Sequence, residues 1–242
     1  MNLPRRLSLE RVFKAQEVID PVFLNTPQFV SEPLGEALGV RLTVKLETHN
    51  PVRSFKGRGA DFLVSSFKDR QPPPRLVCAS AGNFGQAVAY SARKHRLPRT
   101  VYAAVNANPL KVARMQALGA EVRLEGRDFD AAKLAAKAFA ARAGALMLED
   151  GLNPETAEGA GTIGLELLKL ETFPEVLLIP LGNGALINGT ALAVKAARPD
   201  VQVVAVQAEG APAMVESWRL GRVVAHERAQ TIADGIAVRL PV

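Results

Sequence analysis

Residues 176–197 read VLLIPLGNGALINGTALAVKAA. The first five are an apolar run of strand length, 176–180. The glycines of GNGAL (182–186) allow a sharp turn. Residues 185–197 then repeat small and apolar side chains at helical spacing. A strand running through a glycine turn straight into a helix is the repeating half of a βαβ unit. It leaves backbone N–H groups at the helix start with no Cβ in front of them, the geometry that receives an anionic group.

Outward from this stretch the pattern repeats. Strand-length runs lie at 41–47, 76–80, 100–105, 121–124, 145–148 and 202–207. Helix-period segments lie near 56–68, 83–95, 109–118, 128–143, 158–171 and 211–220, with Ala-rich 131–143 the strongest by propensity. Strands alternating with helices predict an α/β fold with mostly parallel sheet. Pro72-Pro73-Pro74 is a stiff connector ahead of strand 76–80 and marks an expected lobe boundary. The last residues, TIADGIAVRLPV, carry neither helix nor strand signal.

Composition narrows the function class. The 242 residues are 48% hydrophobic and 22% charged, values of a globular chain. One cysteine, Cys78, excludes an intramolecular disulfide and a cysteine-rich zinc site. No apolar run approaches the roughly 18 residues of a membrane span. The basic start lacks an apolar h-region, so no signal peptide is expected, and the expected compartment is cytoplasmic. The net charge of +6 raises nucleic acid as a partner, but the cations are scattered. Their densest run, from Arg93 to Arg99, has no interleaved aromatic residue and reads as a solvated helix end, so no nucleic-acid partner is expected.

Two more segments share the strand–turn–helix design. In NPVRSFKGRGA (50–60), Ser54 can cap the following helix and Lys56 falls in its first turn. A cation there opposes the helix dipole. Desolvation and the positive dipole end both favour the neutral amine, a nucleophile. In SAGNFG (80–85), small residues let backbone N–H groups approach an anion, and Asn83 adds an amide. Taken singly, a solvated lysine and ordinary turns account for all three segments. Taken together, a lysine and cradles for a single phosphate match the needs of pyridoxal phosphate chemistry. GNGAL is neither GxGxxG nor GxxxxGK[ST], which disfavours a nucleotide.

SFKGRGA (54–60), SAGN (80–83), LKVARMQALGAEV (110–122), GAGTIGLEL (159–167), the stretch 179–214 and TIADGIAV (231–238) resemble the serine/threonine dehydratases of the fold-type II, tryptophan-synthase β-like, pyridoxal phosphate enzymes. The likeness runs in order over nearly the whole chain. It implies two three-layer αβα lobes: residues 1–75 and 151–242 as the larger, cofactor-binding lobe, and 76–150 as a smaller mobile one. Lys56 would carry pyridoxal 5'-phosphate as a Schiff base, with Phe55 beside it. Asn83 would donate to the ring hydroxyl, and Gly182, Asn183, Gly184, Ala185 and Leu186 would wrap the phosphate. Ser80, Ala81, Gly82 and Asn83 would receive the substrate carboxylate.

The implied activity is that of an ammonia-lyase on L-threonine or L-serine, in a homodimer. A threonine-synthase-like replacement enzyme and a non-catalytic cofactor-binding protein are the alternatives. Family members continue past TIADG, so this chain is expected to lack a C-terminal segment.

Four departures from the family pattern stand out. Arg53 replaces the usual glycine before SFK, either to pair with an acidic substrate group or to point outward. The phosphate loop is GNGA rather than four glycines. Glu149-Asp150-Gly151 stands at the HP segment. Gln207 and Ala213 occupy positions that ligate a divalent cation in some relatives, so no metal is expected. Ala81 has no hydroxyl proton to give to the opposite face of Cα, which favours elimination over racemisation. Glu209, Asp234 and His49, His95 and His226 read as surface or structural, and Cys78 as a small buried hydrophobe.

Overall fold

The computed structural model describes residues 6–80 and 82–241. The alternation read from the sequence is present. Strands β3 (Leu76–Ala79), β4 (Arg99–Ala103), β5 (Glu121–Leu124) and β6 (Leu146–Leu148) form one parallel sheet in the order β5-β4-β3-β6. Helices α4 (Asn83–Lys94), α5 (Pro109–Ala117) and α6 (Phe129–Ala143) connect them. Each helix ends as its sequence dictates. Asn108 and Asp128 cap α5 and α6 by accepting from the N–H of Leu110 and Ala131, and Gly144, at φ 60°, stops α6.

The remaining strands make two separate pairs. β1 (Gln28–Val30) and β2 (Thr43–Lys45) are antiparallel, and β7 (Val176–Pro180) and β8 (Gln202–Val206) are parallel. Around them lie α1 (Leu9–Val18), α2 (Glu32–Leu38), α3 (Lys56–Ser65), α7 (Pro154–Leu167), α8 (Ala185–Ala197) and α9 (Ala213–Leu220). A cleft of about 340 Å³ separates β2 from β7; of the expected site residues only Leu186 lines it. No helix among the described residues is long and apolar enough to cross a membrane.

Strands 121–124 and 176–180 and helix 185–197 fall where the pattern places them. The helix expected at 158–171 runs instead over 154–167, because Pro154 supplies its first residue with a preset φ. α1, α2 and β1 lie outside the elements expected from the pattern. The segment from Gly221 to Pro241 holds a single 3-10 turn, Asp234–Ile236.

Two packing features place the site. The first is α7, which separates α3 from α8 with backbone against backbone. A Cβ on Gly59 would lie 2.6 Å from the Thr156 Cα, and one on Gly189 would lie 2.8 Å from the Ala157 carbonyl carbon. Only glycine permits such an approach. The second is a buried ionic network on α3. Arg58, with no exposed surface, donates from Nε and Nη2 to Glu47 at 2.9 Å each. It donates to Glu166 at 2.6 and 3.0 Å, to Thr162 at 2.9 Å and to Thr26 at 3.1 Å. Glu166 also takes Lys45 Nζ at 2.5 Å and the Asn25 N–H at 2.8 Å. Burial alone would raise the Glu166 carboxyl; Arg58 and Lys45 outweigh it and hold that carboxyl below its ordinary range.

The main apolar core is shared rather than confined to one sheet. It joins Ala15, Ile19, Phe23 and Leu63 to Leu76, Cys78, Phe84 and Met115. Cys78 is fully buried in β3, and burial pushes its thiol up to about 12.

Candidate active site

Lys56 is the first residue of α3. Its N–H donates to Ser54 Oγ at 3.3 Å, so Ser54 closes the helix start as expected, while the cap position itself is Phe55. The lysine side chain is 14% exposed and does not point into solvent. Its Nζ lies 5.1 Å from the Phe55 ring centroid and is ion-paired to Asp150 Oδ2. Phe55, Leu186 and Ile187 all pack against the cluster of Ile163, Leu177, Ile179 and Val194. Phe55 and the start of α8 thus share one apolar floor.

Sheet register brings the lysine to the second loop. Cys78 pairs with Leu148 in the parallel β3–β6 ladder. Ser80 and Asp150, two residues beyond each, therefore leave the same C-terminal edge of the sheet. Ser80 Oγ accepts from the N–H groups of Gly82, at 3.0 Å, and Gly85, at 2.8 Å. That bond pair folds the loop tightly over the start of α4. Asn83 opens α4, half-buried, and its side chain makes no hydrogen bond among the described residues. Ala81 lies outside the described residues.

The third loop joins through the C-terminal segment. Lys111 lies against Gly82, where a Cβ would meet its Cδ at 2.5 Å, and its Nζ pairs with Asp234. Gly235 and Ile236, next in sequence, face Gly182 at 3.5 and 3.6 Å from where a Cβ would stand. Arg239 reaches across to Asp130 and Asp128 in the same way. Asp234 is an exposed residue, as read from the sequence, and its pair with Lys111 bridges the C-terminal segment to α5. Gly184 requires glycine, at φ 92°, and is the N-terminal cap of α8 with no side-chain cap bond. The first N–H groups of α8, from Ala185 onward, are thereby left without a side-chain acceptor. The amide oxygen of Asn183 is buried without a partner; with the amide turned, donors face that position.

These features fit a phosphate dianion at Gly182–Leu186 and an aldehyde-reactive amine at Lys56. Arg53 takes φ 52°, a conformation that costs a side chain strain. Its side chain is exposed, which favours the outward-pointing alternative. Gln207 Oε1 accepts from the Val215 N–H at 2.9 Å and so supports α9. His226 Nε2 contacts Glu216 at 2.7 Å.

A family model described as pyridoxal-phosphate dependent enzyme matches residues 19–242. The chain belongs to that family. Among its relatives, the L-threonine ammonia-lyase of Thermotoga maritima is 36% identical over 235 residues, covering 97% of this chain and 59% of the relative. The L-threonine ammonia-lyase of Geobacter sulfurreducens is 37% identical over 213 residues, covering 87% of this chain and 52% of the relative. The chain thus spans between half and three-fifths of the length of these two relatives. Among solved structures, maize serine racemase superposes with TM-score 0.92 at 27% identity, covering 98% of this chain and 72% of that one. The processed form of threonine deaminase isoform 2 from Solanum lycopersicum gives 0.86 at 30% identity, covering 99% and 68%. The fold of this pyridoxal-phosphate dependent enzyme is therefore the fold-type II α/β architecture.

Sequence reasoning names Asp150 only as part of a departure from the family pattern and gives Lys111 no role, and it misses the partners of both. Asp150 and Lys111 lie 94 and 123 residues from their partners, and no local pattern reports such pairs.

Proposed function

We propose that this chain is a pyridoxal phosphate-dependent ammonia-lyase converting L-threonine or L-serine to a 2-oxo acid and ammonia. The observation that carries the reading is the delivery of Lys56, largely shielded, to the sheet edge from which the Ser80–Asn83 loop departs. The relatives named L-threonine ammonia-lyase supply the substrate class.

When bound, the cofactor supplies an aldehyde for the amine and an electron sink for charge at Cα. Lys56 holds it covalently, and Gly182, Asn183, Gly184, Ala185 and Leu186 hold its phosphate at the α8 N-terminus. Asn83 reaches the ring hydroxyl. The loop of Ser80, Ala81, Gly82 and Asn83, folded by the bonds from the Gly82 and Gly85 N–H groups to the Ser80 hydroxyl, takes the substrate carboxylate. Lys56 Nζ, once free, removes the α-proton as general base, a role worth about 10²–10⁴ in rate. In the net reaction the α-proton and the β-hydroxyl leave the substrate together as one water, and one water is taken up in hydrolysing the C–N bond, giving the 2-oxo acid and ammonia.

Within the same reading, residues 76–150 are the smaller lobe that closes over substrate; all four strands of the parallel sheet come from that range, which supports the division. The assembly is a homodimer in the cytoplasm. Exposed Phe29, Leu34 and Leu38 on β1 and α2 offer apolar surface to a second copy, and the free thiol of Cys78 suits a reducing compartment.

The test is the visible spectrum of the purified chain with pyridoxal phosphate, before and after borohydride, alongside Lys56→Ala. An imine band that borohydride traps and the variant lacks is expected, with ammonia released from L-threonine without a second substrate. A band that persists in Lys56→Ala would overturn the lysine assignment. Phosphate release from phosphohomoserine in place of ammonia release would establish the replacement reaction instead.

A further inference from the structure

Asp150 has no part in the function as described above, yet it is the ion-pair partner of Lys56. Its setting is built. Glu149, its neighbour, turns to the other side and pairs with Lys133 at 2.7 Å and Lys137 at 3.0 Å. The turn is pinned on both flanks: the Glu149 N–H donates to Asn153 Oδ1 at 2.8 Å and the Gly151 N–H to Thr156 Oγ1 at 3.2 Å. The Asp150 side chain is 22% exposed, so its charge is partly shielded from water. A lysine that anchors an aldehyde cofactor is released from it each time substrate takes its place, and its amine then needs a partner.

We propose that Asp150 is a positioning residue for the catalytic lysine: it receives Lys56 each time that side chain is released, and it holds the ammonium formed when Lys56 takes the α-proton. In that step the Cα–H bond breaks, its electron pair stays with the substrate, and the proton moves to Lys56 Nζ. The amine becomes an ammonium whose charge the Asp150 carboxylate offsets, and no proton passes to Asp150. The tethering of free lysine stands on the contact alone; the second role rests on the ammonia-lyase reading.

The test uses Asp150→Asn, which keeps the shape and removes the charge. First, the cofactor-free chain is mixed with pyridoxal phosphate and growth of the imine band is followed. The untethered lysine in Asp150→Asn is expected to react roughly three- to tenfold faster than wild type. Equal or slower imine formation overturns the tether. Second, the holoenzyme is assayed with L-serine and α-deuterated L-serine. The variant is expected to lose roughly 100-fold in kcat at unchanged KM, with a larger isotope effect as proton removal becomes limiting. An unchanged kcat, or kcat and KM moving together, overturns the catalytic half. Should Asp150→Asn fail to fold, Asp150→Ser is measured the same way. If wild type releases no ammonia from either substrate, the ammonia-lyase reading fails, while the imine measurement still decides the tether.

Discussion

Replacing Arg58 by methionine tests whether charge anchors the helix that carries Lys56. Methionine fills the volume of the arginine stem but supplies none of its donors. Glu166 would keep Lys45 and the Asn25 N–H, and Glu47 would keep the Thr26 hydroxyl at 2.5 Å. Both would lose the guanidinium that faces them, and Arg58 is wholly buried. Removing one partner from a buried ion pair costs about 3–5 kcal/mol, because the charge left behind is uncompensated. For a chain of this length, 1 kcal/mol moves the midpoint by about 2–4 °C, so Tm should fall by about 6–20 °C. Thermal melts followed by far-ultraviolet circular dichroism measure this directly. Removing the whole network, with Arg58→Met, Lys45→Met, Glu47→Leu and Glu166→Leu combined, should restore much of the loss, since no orphan charge remains. A single variant melting within about 2 °C of wild type would refute the reasoning, as would a fourfold variant less stable than the single one.

Two further expectations follow from charges described above. The Glu166 carboxyl is held below its ordinary range in the folded chain, so it binds protons more weakly there than when unfolded; its contribution is present above about pH 4.5 and is lost as pH falls through the folded value. Urea midpoints measured between neutral and acid pH should therefore decline more steeply in wild type than in Glu166→Gln, and parallel slopes would contradict the shift. The Lys111–Asp234 pair is half in water, with Asp234 66% exposed, and contributes at most about 1 kcal/mol. Asp234→Ala should leave Tm nearly unchanged while hydrogen exchange of residues 228–238 accelerates, and protection equal to wild type would show that the pair does not hold the segment.

The parts of the fold that can be read in the sequence are those where pattern and punctuation agree. VLLIP followed by GNG, and EVRL after Gly119-Ala120, carry both an apolar run and a turn, and their strands fall at 176–180 and 121–124. α1 escapes because LERVFKAQEV buries only Val12 and Ala15, too thin a stripe to register as a period. α7 starts four residues ahead of the expected 158 because Pro154 is tolerated in its first turn; the glycines at 159, 161 and 164 lie within the expected helix and are there because neighbouring groups come too close for a side chain. At the site, Lys56 and the glycine loops are local signals and can be read. The Lys56–Asp150 contact cannot, because it depends on how β6 is registered against β3.

α7 determines where chemical variation can arise. In the proposed function α3 brings the amine and α8 the anion cradle, and both helices rest on α7 with almost no side chain between them at Gly59 and Gly189. The spacing of anchor and cradle is therefore set by one helix, and a side chain added at those contacts would push the helices apart. A catalyst built this way has a fixed ruler on one side of its cofactor. New specificities must then be written on the opposite side, in the loops that leave the edge of the four-stranded sheet, where a change does not disturb the ruler.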